Sequence, residues 1–452
     1  MGVSRVFDIA RRSLSVYQKA LDATSHNVAN ASNKDYTRQQ VVFGAEKSEM
    51  NGGFMWGTGV RLTEMLRVRD NLTDVQIRTT NQKYYSSNKQ SQLIGQIEQV
   101  FAEPSDLGMS NLITRFFNSW QELSVTPNSI TLRQNVIQTA QQLSSKNQSI
   151  NQYLDQMRSD VKAEFGDNVK MLNSYLKEIQ GLNSQIFEQS TKGVAANELL
   201  DRRDLLIDKV STMTNINVAY DSVNSATISI GGVYAVDRFT AIEFTAFEED
   251  GRISLKPLGG QVSAMLSGGE MSALADTFSN KIPKYMGTLD SVMSALVESV
   301  NGIHSKGYSI TAPQKTGVNF FEGYSDGELK INQDILNDPR FIAISADGNS
   351  GNGDIASQLA ALSTNKIVDG STLLEVYANL ISEIGNEKST ADYLSESNKI
   401  VLDKLEEQKS SYSGVSIDEE MTNIIKFQRS YDASAKLVKI ADEMLQTIIN
   451  MV

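Results

Sequence analysis

All six prolines of this chain lie between positions 104 and 339, at 104, 127, 257, 283, 313 and 339, so its first 103 and last 113 residues contain none. Proline breaks a helix interior because its ring clashes with the preceding turn and it donates no amide hydrogen bond. Both ends are therefore free to form long helices. In the first segment Phe7, Ala10, Leu14, Tyr17, Leu21, Thr24 and Val28 recur at steps of three and four, which predicts one narrow coiled-coil seam. The last segment repeats the pattern through Ile417, Met421, Ile424, Tyr431, Ala435, Val438, Leu445, Ile448 and Val452, with polar Gln428 interrupting it. Ser416 followed by Glu419 reads as a capping box, and Asp418, Glu419 and Glu420 place negative charge at a positive helix end, so the last helix is expected to begin near 417.

Residues 1–30 carry four basic and two acidic groups, and 417–452 carry four basic and six acidic ones, a net +2 facing a net −2. This favours pairing of the two ends only weakly, because exposed ion pairs contribute about 0–1 kcal/mol each. The apolar seams would supply most of the attraction. Such a seam is buried equally well against the same chain or against a neighbouring copy, and its spacing does not choose between them.

Between the ends, Leu112, Phe116, Trp120 and Leu123 share one helical face. A stripe from Leu143 through Ile150, Leu154, Met157, Val161, Phe165, Val169, Leu172, Leu176 and Ile179 to Ile186 predicts a rod-like helix over about 130–190, with Gly166 and Gly181 as candidate bends. A further helix runs from Asn197 to Thr212. The period then falls to two at Ile216, Val218 and Tyr220, at Ile228 and Ile230, at Ile242 and Phe244, and at Ile253 and Leu255, with Asp250-Gly251 as a tight hairpin turn. Helical spacing returns from Met271 to Val300, and 310–354 is irregular and glycine-rich. The expected fold is mainly α with an inserted β domain. Residues 1–35 and 416–452 form a terminal coiled coil; 36–212, 262–309 and 355–415 form a helical rod; 213–261 and 310–354 form a β-rich outer domain.

Composition narrows the chemistry. No cysteine occurs, which removes disulfides, thiolate nucleophiles and thiolate metal sites. A net charge of −12 without a basic cluster argues against nucleic acid as a partner. No 18-residue apolar run is present for membrane insertion, and the charged residues of 1–21 leave no stretch that reads as a secretory signal. The two histidines, His26 and His304, have no serine or carboxylate partner at a recognisable spacing, so each reads as a hydrogen-bonded turn or core residue. The run Asp347 to Asp354 lacks the glycine and glutamate that a calcium loop needs at Asn352 and Gln358. Asp201-Arg202-Arg203-Asp204 reads as the solvated face of a helix whose apolar side holds Leu199, Leu200, Leu205, Leu206 and Val210. No catalytic, cofactor or metal residue is expected.

The stretch Thr24-Ser-His-Asn-Val-Ala-Asn-Ala-Ser32, followed by Asp35-Tyr-Thr-Arg-Gln39, resembles the N-terminal signature of flagellar rod, hook and junction proteins. Asn197-Glu-Leu-Leu-Asp-Arg-Arg-Asp-Leu205, Ser267-Gly-Gly-Glu-Met271, Val300-Asn-Gly-Ile-His-Ser-Lys-Gly307 and the closing run from Ser413 to Asn423 with Phe427, Gln428 and Ala441 to Leu445 resemble the hook-associated protein 1 family in particular. The motif residues are Ser25, His26, Asn27, Asn30, Tyr36, Arg38, Asp201, Arg203 and Asp204. This resemblance implies a structural subunit of the extracellular flagellum at the hook–filament junction, exported without a cleaved signal peptide. It implies self-assembly into an axial layer, contact with the hook protein and a second junction protein, and an export chaperone on the C-terminal helix. The subunit interface is expected along Phe7, Leu14, Tyr17, Leu21, Val28, Ile417, Met421, Ile424, Tyr431, Val438, Leu445 and Ile448. The resemblance also implies that an outer domain carried by longer relatives after Phe320-Phe321 is absent here. The alternatives are another axial subunit, of hook or filament, and then a wall-degrading enzyme, which would need a carboxylate pair in a cleft.

Overall fold

The computed structural model describes residues 2–451 apart from 34, 52, 102, 104 and 326. Both ends are the long helices that their sequence predicts, and they pair with each other. Helix α1 (Gly2–Ala29) lies along α11 (Ile417–Asn450), and the last seam position, Val452, is outside the described residues. The pair is antiparallel, because Glu420 at the start of α11 meets Asn27 near the end of α1, whereas Phe427 and Tyr17 share the ring of Phe43.

Residues 39–67 depart from the helical expectation for 36–212. They form strands β1 (Gln39–Ala45), β2 (Glu49–Asn51), β3 (Phe54–Trp56) and β4 (Val60–Arg67), with β1 paired to β4 and β2 to β3, both antiparallel. Lack of proline permits a helix but does not specify one. Val41, Val42 and Phe43 favour a pleated surface, and Gly59 at φ +108° sets its backbone against Ile9 of α1.

Beyond the ribbon, α2 (Asn71–Phe101) packs along α10 (Leu373–Ser413), whose Thr372 and Glu375 make a complete capping box. At α11 only half of the expected box forms. Ser416 Oγ accepts from the Glu419 amide at 3.5 Å, while the Glu419 carboxylate turns to Arg38. Helix α3 (Met109–Val125) lies against α4 (Ile130–Thr191), a single helix of 62 residues that spans about 90 Å at 1.5 Å per residue. It passes through Gly166 and Gly181 unbroken, and every residue of the predicted stripe, Leu143 through Ile186, is buried, with buried positions from Arg133 to Ala140, and Asn147, Asn151, Leu182 and Asn183, extending that face.

Helix α5 (Asn197–Met213) leads into a three-stranded sheet of β5 (Ile216–Tyr220), β6 (Ala226–Ile230) and β7 (Val233–Val236), then a separate hairpin of β8 (Phe244–Glu249) and β9 (Arg252–Pro257). Asp250 and Gly251 both take positive φ at its turn, as the Asp-Gly pair predicted. At Gly269 φ is +75° and a Cβ would stand 2.3 Å from the Thr214 amide nitrogen, so the Ser267-Gly-Gly-Glu motif needs glycine there. Helix α6 (Glu270–Asp276) then runs through a π turn at Thr277–Lys281 into α7 (Ile282–His304).

The segment 310–354 contains a hairpin of β10 (Phe321–Ser325) and β11 (Glu328–Ile331), then α8 (Gln333–Asn337) and a 3-10 turn at Pro339–Phe341, ahead of α9 (Asp354–Ala361). Among the described residues it shares no sheet with 216–257. Instead it packs on α4 and α7, where Ser144 Oγ donates to the Leu329 carbonyl at 2.6 Å.

The aromatic core of the rod gathers Phe116, Trp120, Phe320, Phe321 and His304, in edge-to-face and tilted contacts at 4.8–6.2 Å. His304 is a core histidine: Nδ1 donates to the Val318 carbonyl at 2.7 Å, and Nε2 accepts from the Ala343 amide at 2.9 Å. Burial pushes it down to about 4 from 6.5. Between those pH values the unfolded chain takes a proton that the folded chain refuses. Its contribution is therefore complete above pH 6.5 and falls by about 3 kcal/mol on the way to pH 4. Urea midpoints at pH 7 and pH 4.5 should diverge strongly for the parent chain and less for His304→Gln. Equal divergence would assign the loss to other groups.

Candidate functional site

Two joints fasten the terminal helix pair to the rod. The first centres on Asn27, which is buried. Its Oδ1 accepts from the Tyr36 hydroxyl at 2.7 Å and the Gln39 amide at 2.9 Å, while Nδ2 donates to the Gln39 carbonyl at 2.8 Å and to Glu420 Oε2 at 3.0 Å. Two lone pairs and two N–H groups are thus all used, a combination only a side-chain amide supplies. Glu420, 2% exposed, also receives Arg38 Nε and Nη2 at 2.8 Å, and Glu419 receives Arg38 Nη1 at 2.9 Å. The Arg38 amide donates to the Ser413 carbonyl at 3.1 Å, so the outgoing and returning connections are tied together.

The remaining signature residues surround this centre. Asn30 Nδ2 donates to the His26 carbonyl at 3.0 Å. His26 is exposed, with Nδ1 at 3.0 Å from the Tyr36 hydroxyl and Nε2 at 3.8 Å from Glu198. Because that hydroxyl already donates to Asn27, Nδ1 carries the proton. Burial, then the charges of Asp201, Glu420 and Glu198, raise Tyr36 well above the ordinary phenol range and keep it a donor. Ser25 is exposed.

From this joint the β1–β4 ribbon follows α1 back toward its start. Phe43 touches Tyr17 and Phe427 at centroid distances of 6.1 and 5.8 Å, Glu46 lies 3.8 Å from Arg12, and the Arg5 guanidinium sits 5.3 Å over Trp56. The ribbon therefore braces the helix pair over most of its length.

The second joint corrects the solvated-face reading of Asp201 to Asp204. Only Arg202 faces solvent, paired with Glu178, whereas Arg203 and Asp204 are buried and Asp201 is nearly so. Arg67 Nη1, at the end of β4, donates to Asp201 at 2.7 Å and Asp204 at 3.0 Å. Arg69 bridges Asp204 and Asp74 of α2, and Arg203 reaches Asp204 at 3.1 Å and stacks on Tyr220 at 5.0 Å. Arg78 Nε donates to Asp208 at 2.6 Å, and Lys409 of α10 lies within 3.5 Å of Asp74 and Asp208. The Thr37 amide donates to Asp201 at 3.2 Å, which links the two joints. Burial alone would raise Asp204, but Arg69, Arg203, Arg67 and Arg78 outweigh it and hold the carboxyl at about 2. Local periodicity hid this second face of α5 because its cations arrive from β4, α2 and α10. Every carboxylate in it is matched by a cation, which leaves none free as an acid, base or ligand. No cluster suited to a metal occurs among the described residues.

Of the predicted seam, Ala10 and Thr24 lie in the contact face of the helix pair and the larger residues fall beside it. Buried on α1 are Ala10, Val16, Ala20, Ala23, Thr24 and Asn27, and on α11 Glu420, Ser434 and Ala441. These small side chains let the helices approach closely. Leu14, Tyr17, Leu21, Val28, Ile424, Tyr431 and Val438 are half-buried at its edges, and Phe7, Ile417, Met421, Leu445 and Ile448 are exposed. The sequence reading missed Gln39, Arg67, Arg69, Asp74 and Glu420 as members of the joints. Glu420 was visible only as a first-turn acid favoured by the helix dipole.

Comparison with known proteins agrees with this architecture. Residues 94–321 match the family model for the flagellar hook-associated protein FlgK helical domain, and 407–451 match that for the flagellar basal body rod FlgEFG protein C-terminal. Flagellar hook-associated protein 1 of Bacillus subtilis is 30% identical over 98% of this chain and 97% of its own length, and that of Salmonella typhimurium is 22% identical over 99% and 100%. The fold is similar to that of the flagellar hook junction protein FlgK from Burkholderia pseudomallei, with a TM-score of 0.64 at 15% identity over 75% of this chain and all of that one. A rod half of whose length fits the helical-domain model, closed by a rod-protein C terminus paired back onto its own N terminus, places the chain in the flagellar hook-associated protein 1 family, as a structural component of the flagellum.

Proposed function

We propose that this chain joins hook to filament as a thin axial layer, with the hook protein on one side and a second junction protein on the other. One observation carries the reading. The helix pair leaves Ile417, Met421, Leu445 and Ile448 of α11 and Phe7 of α1 in solvent, a run of apolar side chains that two helices cannot cover. Copies and axial relatives standing beside it would bury these residues. The terminal coil of 1–35 with 416–452 is then the joining domain, and the two joints transmit its position to the rod. The same exposed face of α11 is the surface an export chaperone would hold before assembly.

A strain lacking the gene should complete its hooks yet bear no filaments, and the parent chain should restore them. Short or missing hooks would favour a hook subunit instead. Intact filaments without the chain would refute the junction role.

A further inference from the structure

The first residues of four strands share one environment. Gln39 of β1, Ala226 of β6, Phe244 of β8 and Phe321 of β10 are all buried. Each stands opposite a cross-strand partner with which it exchanges no hydrogen bond, because the closing bond is made by neighbours: the amides of Val68, Asp221, Leu258 and Asn332 donate to the carbonyls of Arg38, Ser225, Glu243 and Phe320 at 2.7–3.0 Å. The N–H and C=O of the four residues therefore point away from that partner, toward an open edge. At Ala226 the edge is open because β7 pairs with β6 only as far as Ile228. A helix asparagine fills each gap. Asn173 of α4 accepts from the Phe244 amide and donates to the Phe244 carbonyl, both at 2.8 Å. Asn183 of α4 does the same for Ala226 at 3.0 and 2.8 Å, and Asn301 of α7 for Phe321, both at 2.9 Å. Asn27 of α1 holds Gln39 in the same way.

We infer that Asn27, Asn173, Asn183 and Asn301 are positioning residues, each of which seats one β unit on the helical rod by pairing with the open edge of a strand's first residue. A side-chain amide carries an acceptor and a donor as a peptide does, so the helix takes the place that a further strand would fill. The inference goes beyond the proposed joining and does not depend on it. Ten residues apart on α4, Asn183 and Asn173 set the β5–β7 sheet and the β8–β9 hairpin about 15 Å from each other along the rod. Among the described residues the two units share no sheet, so each clasp holds its own unit.

Replacing the amide by a carboxyl keeps the shape and changes only the donor. At pH 7 the carboxylate of Asn173→Asp still accepts from the Phe244 amide but turns a second acceptor on the Phe244 carbonyl, which raises its pKa. Once protonated it again offers one acceptor and one donor. The urea midpoint of Asn173→Asp should therefore lie below the parent's at pH 7, and the gap should close by about half or more at pH 4.5. The acid loss at His304 is common to both chains and cancels in the gap. Asn173→Leu should show a gap that does not close. A gap for Asn173→Asp that stays constant or widens on acidification, or that closes equally for Asn173→Leu, overturns the clasp. Amide exchange supplies a second reading. In Asn173→Leu the amides of β8–β9 should exchange about tenfold faster while those of β5–β7 keep the parent's rates, and Asn183→Leu should give the reverse. Acceleration of both units together, or of neither, contradicts the separate seating.

Discussion

Asp204→Ala is expected to destabilise the folded chain by about 3–5 kcal/mol, because it leaves Arg67, Arg69 and Arg203 without their shared carboxylate in a place water does not reach. Urea unfolding followed by circular dichroism measures the loss, with Arg202→Ala as the control. Arg202 lies one turn-face away in solvent, and its change should stay within about 0.5 kcal/mol. The pH dependence has a definite sign. Held at about 2 when folded and near 3.8 when unfolded, Asp204 contributes fully above pH 3.8 and loses its contribution as pH falls toward 2. This window lies below that of His304, so acid unfolding should proceed through two separable losses. A cost under about 1 kcal/mol for Asp204→Ala would mean that the cluster is hydrated and does not fix the ribbon to the rod.

The second large effect concerns assembly. Leu445→Asp and Ile448→Asp should each abolish filament formation and leave the unfolding of the free chain unchanged. In the free chain both positions face solvent, where an aspartate is harmless. In an assembled layer the same carboxylate would be buried without a partner, at a cost of several kcal/mol per copy. Ala441→Asp separates the two cases, since Ala441 already lies between α1 and α11 and its replacement should disrupt the free helix pair itself. Electron microscopy of complemented cells, with the amount of chain recovered in purified flagella, reads the result. Filaments of normal length on Leu445→Asp cells would show that this face stays wet in the flagellum.

Much of this architecture is legible in the sequence, for identifiable reasons. The long helix α4 declares itself because its apolar residues repeat against one continuous partner face from Leu143 to Ile186. The Asp250-Gly251 turn declares itself because positive φ at both positions narrows the choice of residues. The ribbon of 39–67 does not, since its half-covered and exposed positions alternate only as far as the register shift between Val42 and Phe43, which breaks the period of two. The terminal seams were found at the right helices and only partly on the contact face: Ala10 and Thr24 lie within it and the larger seam residues at its edges or in solvent. Periodicity weighs Phe7, Leu21 and Leu445 above Ala20, Ala23 and Ala441, yet close packing of two lone helices selects the alanines. The joints were least legible. Asn27 and Glu420 are 393 positions apart, and neither residue type announces burial until the partner is known.

The exposed edge of the coil has mechanical meaning only if it is buried in the flagellum. Amide exchange of α11, compared between the free chain and purified flagella, tests this directly. Helix α4, already enclosed by the rod, should exchange alike in both states, while residues 417–450 should become markedly slower to exchange on assembly. If they exchange equally in both, the outer face of α11 meets no neighbour, and this coil does not do the joining.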